Sequence, residues 1–178
     1  MTDVYLRGHF PIFDQASVSF PQVYFDSAAT SQKPAVVLET LQTFYTKKNA
    51  NVHRASHSVG LAATDSFEQA RRTIQYFIHA ASHKEIIWTK GATESINLVA
   101  AILAKGQLRA GDEIVLSNLE HHANIVPWQE LAEQLELKIK VLPISPNGVL
   151  DLAESLALIS KKTVLLAVTH VSNALGNI

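Results

Sequence analysis

Short apolar runs alternate with helix-spaced segments along the second half of the chain, and this alternation limits the fold more than any other feature. Strands are predicted at 86–89, 113–117, 138–142 and 164–169. Helices are predicted between them, at 94–105, from Val126 onward, and from a cap at Asp151 to about Ser160. Strands separated by helices form βαβ units, so we predict an α/β fold with a parallel sheet and right-handed crossovers.

The first half of the chain is predicted to hold one short strand and two helices. The strand is Val23–Asp26. One helix opens at Pro34, with Ser31 as a candidate cap, and the other runs from about 61 to 80. Apolar residues recur at helical spacing in both helices and predict two buried faces, formed by Val37, Leu41 and Phe44 and by Phe67, Ala70, Ile74, Phe77 and Ile78.

Length and composition predict one domain, over 23–178, after an irregular N-terminal arm over 1–22. The 178 residues are 47% hydrophobic and 17% charged, which suits a globular core. A net charge of −1 with no basic block does not favour nucleic-acid binding. The chain stops in a loop directly after a strand-like run, so we expect Ile178 to be a truncation point of a longer domain.

Targeting and redox signals are few. No apolar run approaches the length that spans a bilayer, and the first residues lack an apolar signal core. We therefore expect a cytoplasmic protein. The absence of cysteine removes disulfides and cysteine metal sites.

The turn Gly91–Ser95 leads from the first apolar run into a helix. A helix N-terminus exposes unpaired N–H groups at the positive end of its dipole, and the Thr93 hydroxyl lies beside them. A phosphate fits such a turn, but small and hydroxyl residues also cap helices without any ligand. The turn matches neither GxxxxGK[ST] nor GxGxxG, so no nucleotide motif is present.

Polar residues follow three of the predicted strands. Thr93 follows the first, the Glu120-His121-His122 run the second, and Asn173 the fourth. Ligands of open α/β sheets bind outside the carboxyl ends of the strands, so these residues are expected to converge at one edge. Asn173 at that position either bonds a ligand or forms the turn.

The adjacent histidines suggest chemistry, but their roles stay open on the residues alone. An imidazole here either stacks on a ligand or transfers a proton, or the pair is simply a surface loop. Neighbouring side chains diverge, so at most one of the two is expected to face a given site. A zinc site would need His53 and His57 as well, and the spacing fits no known ligand pattern.

Five segments together resemble a known family. In order they are YFDSAATSQKP, NVHRASH, TKGATESINLVA, GDEIVLSNLEHHANIVPWQ and THVSNALG. From about Val23 to Gly176 the chain resembles the N-terminal part of pyridoxal-phosphate-dependent class V aminotransferase-fold enzymes, and most closely cysteine desulfurases of the Suf/Csd, selenocysteine lyase-like type. The resemblance implies the large domain of a fold type I enzyme, three αβα layers around a mainly parallel sheet.

The resemblance also implies roles for residues at matching positions. Ala92 and Thr93 would bind the phosphate of pyridoxal 5′-phosphate through backbone N–H groups and the Thr93 hydroxyl. His121 would stack on the pyridine ring as the catalytic histidine. Asn173 would lie by the ring oxygen and the substrate carboxylate.

Four further residues would lie towards the substrate. Ala28 and Ala29 match a turn that approaches it. His53 and Arg54 match a loop near the active site and the dimer partner. From the residues alone, this polar loop is as well explained by solvation as by an anionic ligand.

The same family needs residues that the chain does not supply. These are a lysine that binds the cofactor covalently, an aspartate on the pyridine nitrogen, an arginine for the substrate carboxylate and a nucleophilic cysteine. All match positions beyond Ile178, so the 178 residues alone are expected to be inactive.

The parent reaction implied by the resemblance takes L-cysteine to L-alanine and leaves the sulfur as a persulfide for an acceptor protein. A homodimer and a role in iron–sulfur cluster assembly are implied with it. The alternatives are another class V enzyme, such as a selenocysteine lyase or an aminotransferase, a non-catalytic dimerising fragment, and a simple phosphate-binding module.

Overall fold

The computed structural model describes residues 6–14, 23–54, 56–106 and 108–178. The chain divides into two compact units, Met1–Ile87 and Trp88–Ile178. Residues 1–5 and 15–22 of the predicted arm lie outside the described residues. The prediction of a single domain over 23–178 stays a prediction. No helix within the described ranges is both long enough and apolar enough to cross a membrane.

The first unit is built on two helices, α1 (Ala35–Thr43) and α2 (Ser58–Phe77). A turn of π-helix, Phe44–Lys48, continues α1 and packs against α2. Short 3₁₀ turns lie at Pro11–Phe13 and His83–Glu85.

The starts of both helices have local causes. Pro34 stands at the N-cap of α1 with φ −69°, and no side chain caps the helix, so the prediction of a Ser31 cap is wrong. A proline there already has the backbone angle that the helix needs. His57 caps α2, its Nδ1 accepting a hydrogen bond from the Gly60 N–H at 3.2 Å. The helix consequently begins three residues before the predicted Leu61.

The two predicted strands that precede 113 are absent: 23–26 and 86–89 are not in a sheet, and the described residues form a single sheet of three strands. A strand needs a partner for its backbone groups. Both segments use local contacts instead. The Tyr24 hydroxyl donates to the Thr30 carbonyl at 2.5 Å, and the Arg71 guanidinium donates to the Ile86 carbonyl.

The predicted inner faces of α1 and α2 are largely exposed in the structure. Phe77 is 80% exposed and Leu41 51%, whereas the buried residues of α2 are Gly60 and Ala63. Periodicity correctly marks an apolar side of each helix, but the described residues do not cover it. The prediction that these faces are buried is therefore wrong for this chain.

The second unit contains the sheet, in the order β2-β1-β3 with all strands parallel. The strands are β1 (Glu113–Ser117), β2 (Lys138–Leu142) and β3 (Thr163–Ala167). Every residue of the central strand β1 is buried. The α/β class with a parallel sheet is thus confirmed.

Three helices pack with this sheet: α3 (Ala92–Leu103), α4 (Val126–Leu135) and α5 (Leu152–Leu158). The Asp151 carboxylate caps α5 by accepting from the Glu154 N–H at 3.0 Å, as predicted. Helix α3 begins two residues earlier than predicted. The core is formed by residues from β1, α3 and α4 and by the residue before β2: Ala100, Ile114, Leu116, Trp128, Leu131, Ala132 and Leu137.

A charged cluster joins the three strands at the end opposite their carboxyl termini. The Glu113 carboxylate accepts hydrogen bonds from Lys140 Nζ at 2.8 Å and from the hydroxyls of Ser160 at 2.6 Å and Thr163 at 3.4 Å. The hydrogen bond from Lys140 and then that from Ser160 lower the pKa of the Glu113 carboxyl below its ordinary value of 4.5.

This lowered pKa predicts an acid-sensitive contribution to folding. Because the folded-state pKa of Glu113 lies below the unfolded value, its contribution is complete above pH 4.5 and is lost as the pH falls through the folded pKa. We expect the urea midpoint of Glu113→Gln to change less than that of the wild type between about pH 6 and about pH 3. Glu133→Gln, at an exposed position of α4, should follow the wild-type profile. Parallel profiles for all three proteins would contradict the assignment.

Candidate functional site

A cavity of about 340 Å³ lies where β1 and β3 end. Its walls are the loop after β1, which carries His121 and His122, and the segment after β3, which carries Asn173. Because β1 and β3 are neighbours and parallel, their carboxyl ends reach the same edge of the sheet. The structure therefore brings His121 and Asn173 to one cavity, as the sequence predicts, and their individual roles stay predictions. Thr93, predicted to converge with them, is not among the described residues that line this cavity.

The histidine loop is shaped by a single turn of 3₁₀ helix, His122–Asn124. His121 caps this turn, its Nδ1 accepting a hydrogen bond from the Ala123 N–H at 3.1 Å. In a neutral imidazole an accepting Nδ1 leaves the ring proton on Nε2. His121 thus has one nitrogen engaged by the backbone and the other for a ligand or solvent.

Both histidines line the cavity, with ring centroids 6.2 Å apart and planes inclined by 58°. That at most one of the two rings faces a bound ligand stays a prediction. Among the described residues no group of three or more histidine, aspartate or glutamate side chains is arranged to hold a metal ion.

Asn173 lies in a turn organised by a buried serine. The Ser172 side chain, 3% exposed, accepts hydrogen bonds from the N–H groups of Ala174 at 3.3 Å and Leu175 at 3.2 Å. The Gly176 N–H closes the turn on the Ser172 carbonyl at 2.9 Å. Asn173 itself is exposed at the cavity wall. The hydrogen bonds that form the turn come from Ser172 and not from the Asn173 side-chain amide.

Helix α3 begins with an N-terminus that no side chain caps. Gly91 is the N-cap, with an extended backbone (φ 162°), and Ala92 and Thr93 form the exposed first turn. The Glu94 carboxylate instead accepts from the Lys90 N–H at 2.5 Å. Helix α3 packs against the 3₁₀ turn that follows His121 and against α4. Uncapped N–H groups at a helix N-terminus are donors of the kind that bind phosphates in proteins, and the role of Ala92 and Thr93 stays a prediction.

The other predicted site residues lie in the first unit. Ala28 and Ala29 are exposed in a turn closed by the Ala29 N–H on the Asp26 carbonyl at 3.1 Å. Their predicted approach to a substrate stays a prediction.

His53 is held by α2 rather than left in a solvated loop. Its N–H donates to the Thr64 hydroxyl at 2.9 Å, and its Nε2 lies 3.5 Å from a Glu68 carboxylate oxygen. The residue has a positive φ of 67°, so these contacts hold an uncommon backbone conformation. Arg54 follows it and is exposed. Their predicted place by a substrate and a dimer partner stays a prediction.

Sequence reasoning left one side chain at the cavity without a role, Glu120. Its Oε1 accepts from the Ser117 hydroxyl at 2.5 Å and from the backbone N–H of Thr169 at 2.8 Å. Its Oε2 accepts from the Asn124 side-chain amide at 2.7 Å, and the Asn124 carbonyl oxygen accepts from the Trp128 indole at 2.8 Å. The partner across the sheet edge, Thr169, is 49 residues away in sequence. No local pattern could have revealed it.

Comparison with known proteins identifies the family. The model of the aminotransferase class-V family matches residues 23–178. The chain belongs to this family, whose members it matches over both units.

The curated relatives and solved structures include cysteine desulfurases. A probable cysteine desulfurase of Halalkalibacterium halodurans is 48% identical over 173 residues, which are 97% of this chain and 43% of that protein. The apo structure of the cysteine desulfurase of Thermococcus onnurineus NA1 matches with a TM-score of 0.88 and 39% identity, over 98% of this chain and 41% of that one. The cysteine desulfurase CsdA of Escherichia coli matches with a TM-score of 0.82 and 38% identity, over 99% and 43%. The chain thus spans about two fifths of the length of these relatives.

Proposed function

We propose that this chain forms the N-terminal part of the cofactor-binding large domain of a pyridoxal-phosphate-dependent cysteine desulfurase. The reaction converts L-cysteine to L-alanine and passes the sulfur on as a persulfide. The observation that supports this most strongly is the cavity at the end of β1 and β3, which His121 and Asn173 both line. The similarity to cysteine desulfurases over 97–99% of this chain agrees with it.

The residues present fit pyridoxal 5′-phosphate. The uncapped first turn of α3, at Ala92 and Thr93, offers backbone N–H groups and a hydroxyl to a phosphate. His121 offers an imidazole face to the pyridine ring, and Asn173 offers an amide to the ring oxygen. Bound there, the cofactor would serve as the electron sink for cleavage at the amino acid.

The protein side chains bind, orient and hold protons. In this proposal His121 stacks on the ring and carries a proton at Nε2, since Nδ1 is bonded to the Ala123 N–H. Asn173 orients the substrate carboxylate, and Ala28 and Ala29 approach it from their turn. His53 and Arg54 lie near the substrate and the second subunit. The persulfide requires a cysteine from outside these 178 residues, which contain none.

The wider setting is part of the same proposal. The enzyme acts as a homodimer in the cytoplasm and delivers sulfur to an acceptor protein, as iron–sulfur cluster assembly requires. A selenocysteine lyase, an aminotransferase and a dimerising fragment without catalysis are the alternatives that an assay separates.

The direct test measures products from the complete enzyme of which these 178 residues would form the N-terminal part. After reconstitution with pyridoxal 5′-phosphate, L-cysteine and dithiothreitol should yield alanine and sulfide in equal amounts. Product from L-selenocysteine alone would favour a selenocysteine lyase, and amino transfer to a keto acid would favour an aminotransferase. Protein that self-associates but binds no pyridoxal phosphate would contradict the proposal.

Substitution of Gly91 tests whether the N-terminus of α3 binds the cofactor phosphate. A side chain added at Gly91 meets nothing within 4 Å, and the extended backbone accepts any residue. Aspartate there would cap α3 and place a negative charge where the phosphate binds. We expect Gly91→Asp to weaken pyridoxal phosphate binding by about tenfold or more without lowering the melting temperature.

The matched control is Gly91→Asn, which has the same shape and capping ability but no charge. Because asparagine also competes for the N–H groups, a smaller loss of affinity is expected for it. Affinities are measured by equilibrium titration of the apo protein. Equal affinities for the aspartate and asparagine variants would contradict the assignment of the phosphate to this helix end.

A further inference from the structure

The hydrogen-bond chain that ends at Glu120 has a fixed direction. An indole N–H can only donate a hydrogen bond, so the Asn124 side chain must turn its carbonyl oxygen towards the Trp128 ring. That ring is only 3% exposed. The NH₂ group of Asn124 must then point to residue 120 and donate. From the other side the Thr169 backbone N–H can also only donate.

This direction specifies the chemistry of residue 120. Donors approach both of its terminal atoms, so both must accept. A carboxylate has acceptors on both oxygens, whereas the isosteric amide of glutamine would set an NH₂ group against a donor. The arrangement therefore requires glutamate at position 120, and glutamine, which has the same shape, cannot satisfy all the donors.

We propose that Glu120 is a positioning residue, whose carboxylate locks the loop that carries His121 to the segment that leads to Asn173. His121 is its neighbour in the chain, and Thr169, which it bonds across the sheet edge, lies four residues before Asn173. One side chain thus sets the spacing of the two cavity walls. The inference rests on the proposed function, because it takes pyridoxal phosphate as the ligand. The binding of that ligand would depend on the spacing of the two walls.

A purely structural role for Glu120 predicts a different result. If the bonds only added stability, loss of the carboxylate would lower the unfolding free energy and leave the folded cavity unchanged. If Glu120 positions the walls, loss of the carboxylate changes the local opening of both segments and the environment of the bound cofactor. Local exchange and cofactor absorption separate these two cases.

The first experiment uses the protein without cofactor. Hydrogen exchange of the Thr169 amide and of the Trp128 indole is measured by NMR in the wild type, in Glu120→Gln and in the control Glu133→Gln, whose position on α4 is exposed. Glutamine keeps only one acceptor oxygen, so either the Thr169 amide faces an NH₂ group or Asn124 turns over and the Trp128 indole loses its acceptor. We therefore expect Glu120→Gln to exchange about tenfold faster at one or both of these groups. Amides of the central strand β1 should keep their rates. Unchanged exchange at Thr169 and Trp128 would overturn the proposal.

A second variant keeps the test decisive if Glu120→Gln does not fold. Asn124→Ala breaks only the Oε2 branch of the chain and leaves the bond to Thr169. Exchange at the Trp128 indole should rise while the Thr169 amide stays protected. Loss of protection at neither group would overturn the inference.

The second experiment adds pyridoxal phosphate. Glu120→Gln should bind it about tenfold more weakly, with a shifted visible absorption maximum, whereas Glu133→Gln should match the wild type. In a Trp128→Phe background the indole donor is gone, so Asn124 can turn its carbonyl oxygen towards the amide that Glu120→Gln introduces. There the same substitution should weaken binding by about threefold or less. An equal loss in both backgrounds would overturn the directional network.

The two experiments separate failure of this inference from failure of the proposed function. Wild-type protein that binds no pyridoxal phosphate would refute the proposed function, and the exchange rates of the apo protein would still decide whether Glu120 locks the two segments. Normal cofactor binding with unchanged exchange in Glu120→Gln would refute the inference alone.

Discussion

In the complete enzyme, His121→Ala is expected to shift the visible absorption of bound pyridoxal phosphate and to slow turnover of L-cysteine by about a hundredfold. The slower turnover follows if the imidazole positions the ring and carries a proton at Nε2, since a positioned acid or base contributes about 10²–10⁴ in rate. Loss of the stacked ring should also weaken the binding of pyridoxal phosphate, by about tenfold or less. Absorption spectra, cofactor titration and steady-state kinetics measure the three effects.

The adjacent histidine provides the matched control. His122 lines the same cavity and is also exposed, so His122→Ala removes the same ring from the same loop. It does not cap the 3₁₀ turn, because that bond comes from His121 Nδ1. Much smaller changes are expected. Equal effects of the two substitutions would refute the stacking role of His121.

His121→Asn separates the cap from the ring. Asparagine is a good capping residue and can replace Nδ1 as an acceptor, but it has no aromatic face. If stacking matters, the asparagine variant should resemble the alanine variant in its spectrum. A wild-type spectrum for His121→Asn would show that the backbone bond, and not the ring, is what the cofactor senses.

Local signals account for the elements that the sequence predicted well. β1 and β2 have the predicted bounds, and α4 begins at Val126 with a proline in its first turn, as predicted. The Asp151 cap is a contact over three residues, within reach of a sequence pattern. The parallel order follows from the alternation of strands and helices. These features depend on neighbours in sequence.

The errors arise where the deciding contact is distant or lies outside the element. Segment 86–89 has strand-like residues, but pairing needs a partner that periodicity cannot supply, and the structure leaves it outside the sheet. The apolar side of α2 is visible in the sequence, yet only packing decides whether Phe77 is covered. Glu120 looked like one polar loop residue because its bond to Thr169 spans 49 positions. The same distance is what allows it to join two cavity walls.

The largest effect on folding is expected from Ile114→Ala. Ile114 is fully buried in the central strand β1, between Ile139 of β2 and Leu165 of β3. Removing its larger side chain loses buried apolar area and leaves a cavity, which costs about 2–5 kcal/mol. That is a large share of the ~5–15 kcal/mol that stabilises a typical domain. Urea unfolding followed by circular dichroism should show a lower midpoint with an unchanged slope.

Ile102→Ala is the control because it makes the same chemical change at a side chain that is 46% exposed on α3. The loss of partly exposed area is small, and alanine has the higher helix propensity, so a change below about 1 kcal/mol is expected. The comparison also tests which part of the molecule carries the site. Since β1 delivers the chain to His121, a loosened β1 should weaken pyridoxal phosphate binding, whereas Ile102→Ala should not. Equal urea midpoints for the two variants would contradict the conclusion that β1 is the centre of the core.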